Sequence, residues 1–111
     1  MKPINHSHQI RPLSVNEAWQ GRRFKTDAYK NYETELLYNL PKWQMIKGLV
    51  AVEIKFYFKS PLRRDIDNPI KLLLDIIVKR GWIEDDRKIT SLLVKKFKRE
   101  VEGFKIKIKP E

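Results

Sequence analysis

The sequence predicts an α+β fold in two layers, with helices packed on one face of a small mixed or antiparallel β-sheet. Three observations predict it. Val50, Val52, Ile54, Phe56 and Phe58 alternate with Ala51, Glu53, Lys55, Tyr57 and Lys59, the period-two pattern of a half-buried strand. Ile89 to Lys98 and Phe104 to Lys109 read as two more strands, the last alternating Phe104, Ile106 and Ile108 with lysines. Two stretches of helical spacing, after Thr26 and after Asn68, complete the inventory.

In chain order, residues 1–9 read as a loose N-terminal arm, and residues 10–111 as one domain, the size that 111 residues allow. Pro12, in Ile10 to Asn16, suits an extended entry. Gly21-Arg22-Arg23 reads as a turn. Thr26 is placed to cap a helix, with Asp27 in its first turn, where the dipole favours an anion. Tyr29, Tyr32 and Leu36 recur at helical spacing, and Pro41 marks the end. Lys47-Gly48 leads into the clearest strand, and Ser60-Pro61 breaks it. Asn68 and Pro69 have the chemistry of an N-cap and first helical residue. That helix is expected to run to Lys79 and stop at Gly81, with a core stripe of Ile70, Leu73, Leu74 and Ile77. Trp82 to Asp86 forms an acidic connection, and Gly103 marks the turn between the last two strands.

Lys and Arg total 24 against 14 Asp and Glu, a net charge of +10. The excess is spread as +2 over residues 1–40, +5 over 41–81 and +3 over 82–111, so it belongs to the folded body rather than to a basic tail. Such a surface attracts polyanions, nucleic acid first among them. No segment joins a lysine-rich face to a broad apolar one, which disfavours a membrane surface. No apolar run is long enough to span a bilayer, and Met1 to Ile10 lacks the apolar stretch of a signal peptide. With no cysteine, disulfides and thiolate zinc sites are excluded. These features lead to the expectation of a soluble intracellular protein without a small-molecule cofactor.

Acidic residues cluster where elements meet. Asp65 and Asp67 lie two apart between strand and helix, so an extended segment points both the same way. Two carboxylates that close repel each other, and a divalent cation such as Mg2+, which takes oxygen ligands, removes the penalty. Asp85 and Asp86 follow the helix and return to its starting edge only if the strand order allows it. Such a cluster with a cation suits phosphodiester hydrolysis, with a metal-activated water as nucleophile. Lys71, four residues after Asp67, projects from the same helical end toward a phosphate. Taken singly, each feature has a plainer reading: D-x-D as capping chemistry, Asp85-Asp86 as a solvated loop, Lys71 as an exposed helical lysine. The EF-hand pattern fails for want of its glycine and glutamate. Phe56, Phe58 and Phe104 share alternating faces with aliphatics and read as core, not as a base-stacking platform.

The stretch Arg63-Arg64-Asp65-Ile66-Asp67-Asn68-Pro69-Ile70-Lys71, then Leu74-Asp75, then Gly81-Trp82-Ile83-Glu84-Asp85-Asp86, closely resembles the signature of the RusA family of Holliday junction resolvases. Pro12-Leu13-Ser14-Val15-Asn16 resembles the family's early P-x-S-x-N segment, and the basic, aromatic stretch Arg22 to Tyr32 also fits. The resemblance implies a RusA-like fold and a Mg2+-dependent endonuclease, with Mn2+ a possible substitute. Asp65, Asp67 and Asp86 would bind metal and Lys71 act at the phosphate, with Asp85 an additional acid. Arg63, Arg64, Asn16, Arg22 and Arg23 would contact DNA. It further implies a homodimer that nicks two opposed strands of a four-way junction. Its setting would be recombination and repair, cytoplasmic and nucleoid-associated, in a bacterial or phage-infected cell. The loose arm before Ile10 departs from the family, whose first strand begins almost at once. The alternatives are a catalytically silent junction-binding or DNA-binding protein and a nuclease for flaps, other branched DNA or RNA.

Overall fold

The computed structural model describes residues 2–20 and 24–111. The turn expected at Gly21-Arg22-Arg23, and with it Arg22 and Arg23, lies outside the described residues. The strands are β1 (Ile4–His8), β2 (Trp19–Gln20), β3 (Phe24–Lys25), β4 (Val50–Phe58), β5 (Ile89–Lys98) and β6 (Gly103–Pro110). The α-helices are α1 (Val15–Ala18), α2 (Asp27–Asn39) and α3 (Ile70–Arg80), with 3-10 turns at Pro61–Arg63 and Asp86–Lys88. The main sheet has four strands in the order β1-β6-β4-β5, and β2 and β3 form a separate short ladder. Since β4 pairs parallel with β5 and antiparallel with β6, the sheet is mixed. The expected α+β arrangement is thus what the chain adopts.

The alternation of β4 is realised residue by residue: Val50, Val52, Ile54, Phe56 and Phe58 are buried and their neighbours half-exposed. Ile106, Ile108 and Phe104 of β6 join the same buried face. Against it pack Leu72, Leu73, Leu74, Ile76 and Ile77 of α3 and Tyr29, Tyr32 and Leu36 of α2. The buried arc of α3 is wider than the stripe expected, with Ile70 only half-buried, because α2 packs on the helix as well as the sheet. Thr26 caps α2, its Oγ1 accepting from Tyr29 N at 3.2 Å.

Three expectations are corrected. The N-terminal arm is not loose: Ile4 to His8 pair in register with Ile108 to Phe104 of β6. Its period is masked because histidines stand where aliphatics would. His6 lies edge-on to Trp43 and Trp82, with centroids 5.9 and 5.7 Å away. The second correction concerns the start of α3, where Pro69 is the capping residue and Ile70 the first helical one. Asn68 is committed elsewhere: its carbonyl accepts from Val15 N at 3.2 Å and its side chain donates to Asp65 Oδ2 at 3.3 Å. Third, Gly103 opens β6 instead of turning, and a Cβ there would meet His8 O at 2.5 Å. The short helix α1 escaped the sequence reading, although Ser14-Val15-Asn16-Glu17 carries a capping-box pattern.

Gly81 stops α3 as expected, in the left-handed conformation (φ 85°), its N–H donating to Val78 O at 3.0 Å. Space around it is open, so only backbone strain opposes a side chain. Gly81→Ala should cost about 1–2 kcal/mol in denaturant unfolding, and Gly81→Asn less. Equal stability of all three proteins would show that the turn relaxes.

Candidate active site

The parallel pairing of β4 and β5 decides where the acids go. A parallel neighbour needs a long crossover, and residues 59–88 supply it, carrying first the Arg63–Asp67 loop, then α3, then Asp85-Asp86. The chain thereby returns Asp86 to the beginning of α3. Lys71 Nζ donates to Asp86 Oδ2 at 2.7 Å and lies 3.0 Å from Asp75 Oδ1, one turn along the helix. Both contacts raise the Lys71 pKa, the hydrogen bond to Asp86 contributing most, so the ammonium is a permanent charge. Its side chain is nonetheless 60% exposed and open to a phosphate. Asp85 accepts from Arg87 N at 2.9 Å, the main cause holding its carboxyl below the usual range, with the Asp86 side chain and the Arg87 charge adding to it.

The loop before α3 is bent rather than extended. Ile70 N donates to Asp67 O at 3.3 Å, and Asn68 folds onto Asp65. Asp65 and Asp67 are both exposed, and the Asp67 carboxylate makes no ion pair or hydrogen bond among the described residues. Asn16, Arg63, Arg64 and Asp65 line one shallow cleft with Asn68 and Pro69. Among the described residues, no group of three His, Asp or Glu side chains is assembled tightly enough to hold a metal ion. Asp65, Asp67 and Asp86 are thus not a closed ligand set. Their donor chemistry does suit a hard divalent cation: every candidate ligand is a solvent-facing carboxylate and none is sulfur or buried imidazole.

Two positioning residues escaped the sequence reading, and a third, Asp75, entered it only within the family signature. Asp75 pairs with Lys71 across one helical turn. Glu17 forks onto Arg11 at 2.8 and 3.2 Å and lies 3.7 Å from Arg64, tying α1 to the acid-bearing loop. Lys96 Nζ donates to Pro61 O at 2.9 Å and Arg64 O at 2.7 Å, holding the same loop against β5. Nothing local in the sequence marks Lys96, because its partners are backbone carbonyls more than thirty residues away.

Exposed acids around a committed ammonium, on the crossover of a mixed sheet in a chain of net charge +10, define a small basic hydrolase of nucleic acid. More particularly, the chain belongs to the RusA family of endodeoxyribonucleases: the profile described as Endodeoxyribonuclease RusA matches residues 7–109. It is 34% identical over 94 residues to the crossover junction endodeoxyribonuclease RusA of Aquifex aeolicus (strain VF5), a match covering 81% of this chain and 75% of that protein. No helix among the described residues is long and apolar enough to cross a membrane.

Two outcomes follow from the geometry. The Lys71 pairs are exposed, so Lys71→Met should shift unfolding by less than about 1 kcal/mol while suppressing DNA cleavage. A large stability loss would make Lys71 structural instead. The Glu17 pKa is lowered, first by the Arg11 hydrogen bond, so its stabilisation is present above the ordinary value of 4.5 and lost as pH falls through the depressed one. The thermal stability gap between wild type and Glu17→Gln should therefore be open at neutral pH and close in acid. A gap independent of pH would show that the ion pair contributes nothing.

Proposed function

We propose that this chain resolves four-way (Holliday) DNA junctions as a homodimer, nicking two opposed strands in a reaction that depends on Mg2+, or on Mn2+ in its place. The observation that carries the reading is the Lys71–Asp86 contact. It joins the two halves of the acidic pattern at the start of α3 in a chain similar to a crossover junction nuclease. Asp65, Asp67 and Asp86 would hold the cation, with Asp85 as a further acid beside them. When bound, the cation supplies positive charge to the scissile phosphate and makes water a better nucleophile at neutral pH.

The protein's own residues do the rest. Lys71, kept protonated by Asp86 and Asp75, offers a fixed positive charge to a phosphate oxygen at the helix start. Arg63 and Arg64 flank the acids and bring the DNA backbone to them, and Asn16 faces the same cleft from α1. Glu17 and Lys96 hold that loop from either side. Arg22 and Arg23 extend the DNA-contacting set on the sequence resemblance alone. A homodimer presents two such sites related by a two-fold axis, which suits symmetric cutting. The setting is DNA recombination and repair, at the nucleoid.

A synthetic four-way junction and a linear duplex of the same sequence should be incubated with Mg2+, Mn2+ or EDTA, using wild type and Asp67→Asn. Paired symmetric nicks are expected on the junction alone, absent with EDTA and reduced at least about 100-fold by Asp67→Asn with junction binding retained. Tight binding without cutting under any metal would leave a catalytically silent junction-binding protein. Equal cutting of flaps would leave a broader branched-DNA nuclease.

A further inference from the structure

The face of the sheet turned away from the helices is built as a row of like charges. Lys55 of β4 is in register with Lys95 of β5 on one side and Lys105 of β6 on the other. Three ammonium-bearing side chains thus stand side by side on adjacent strands, about 4.8 Å apart at the backbone. Along β6, Lys107 and Lys109 continue the same face at every second residue. Glu53, opposite Lys107, is the single acid that the strand register places among them. None of the five lysine side chains makes an ion pair or hydrogen bond among the described residues. A shallow cleft runs between Asn5, Glu53, Lys55, Lys105 and Lys107. At its end the Arg99 guanidinium lies over the Tyr57 ring at 4.0 Å.

Like charges directly opposite one another destabilise a sheet, so the row works against the free protein. It also repels a second copy of the same face. What it fits is a polyanion. Along β6 the lysines repeat at about 6.8 Å, or two of the 3.4 Å phosphate steps of one DNA strand. This face is not the acidic site: Lys96, which anchors the Arg64 loop, pairs with Phe56 on the helix side, while its neighbour Lys95 points the other way.

We infer that the helix-free sheet face is a second phosphate-binding surface, which takes the backbone of a duplex arm of the DNA away from the cut. This rests on the nuclease reading above and adds a contact surface to it. The occupant is double-stranded DNA, chosen by charge complementarity with the lysine row.

The test compares Lys55→Gln/Lys105→Gln with Lys30→Gln/Lys42→Gln, an exposed pair on and just after α2 that removes the same charge. Binding of a four-way junction is measured across salt concentration, with turnover at saturating DNA, thermal stability without DNA, and oligomeric state by light scattering. The sheet-face pair should weaken binding about tenfold and reduce the log–log salt slope by about 1.8, turnover being unchanged. The same pair should raise the melting temperature of the free protein, and Lys55→Arg/Lys105→Arg should restore the slope. Equal weakening by both pairs, or an unchanged slope, overturns the inference while leaving the nuclease intact. A changed oligomeric state with unchanged DNA affinity also overturns it, by making the face a self-interface. If wild type binds no DNA at any salt, both readings fall together.

Discussion

The parallel pairing of β4 with β5 is the constraint on which the rest of the molecule depends. An antiparallel neighbour is reached through a short turn, whereas a parallel one requires the chain to travel back along the sheet. Here the return is made by residues 59–88, and every acid of the site rides on it. The outward leg carries Asp65 and Asp67, α3 buries its apolar arc against β4, and the closing leg sets Asp86 against Lys71. Reversing β5 would leave the same residues in the chain and scatter them in space.

The crossover is held where it would otherwise drift. Lys96 fastens the loop's carbonyls to β5, Asn68 is gripped through its carbonyl by Val15, and Glu17 links the loop to α1 through Arg64. At the far end of α3, Arg80 Nε donates to Leu40 O and Trp82 Nε1 to Pro41 O, both at 2.9 Å, tying α3 to the end of α2. Polar links of this kind are individually modest, yet they act on backbone and so set the path of the loop. Asp65 and Asp67 themselves stay exposed, with charge left for a ligand to neutralise.

The two faces of the sheet divide the work. One is apolar and covered by helices, and it holds the fold together. The other is lysine-rich and uncovered, its lysines making no ion pair among the described residues, and such a surface attracts anions. On β5 the alternation of a strand puts Lys95 on the uncovered face and Lys96 on the helix side, where it supports the loop.

Much was legible in the sequence because local periodicity and spacing carry it. The alternation of β4 and β6, the Thr26 cap and the Gly81 stop are each written within a few residues, and the D-x-D-N to D-D pattern within one helix and its flanks. Where short elements carry polar residues at inward-facing, half-buried positions, as at His6 in β1, the period disappears and only pairing with β6 reveals the strand. Tertiary structure alone decided three things: the strand order β1-β6-β4-β5, the meeting of Lys71 with Asp86, and the Lys95–Lys55–Lys105 row. Each joins residues distant along the chain. Side-chain spacing reports which face a residue takes within its own element, and contacts between elements depend on how those elements are ordered and registered in space.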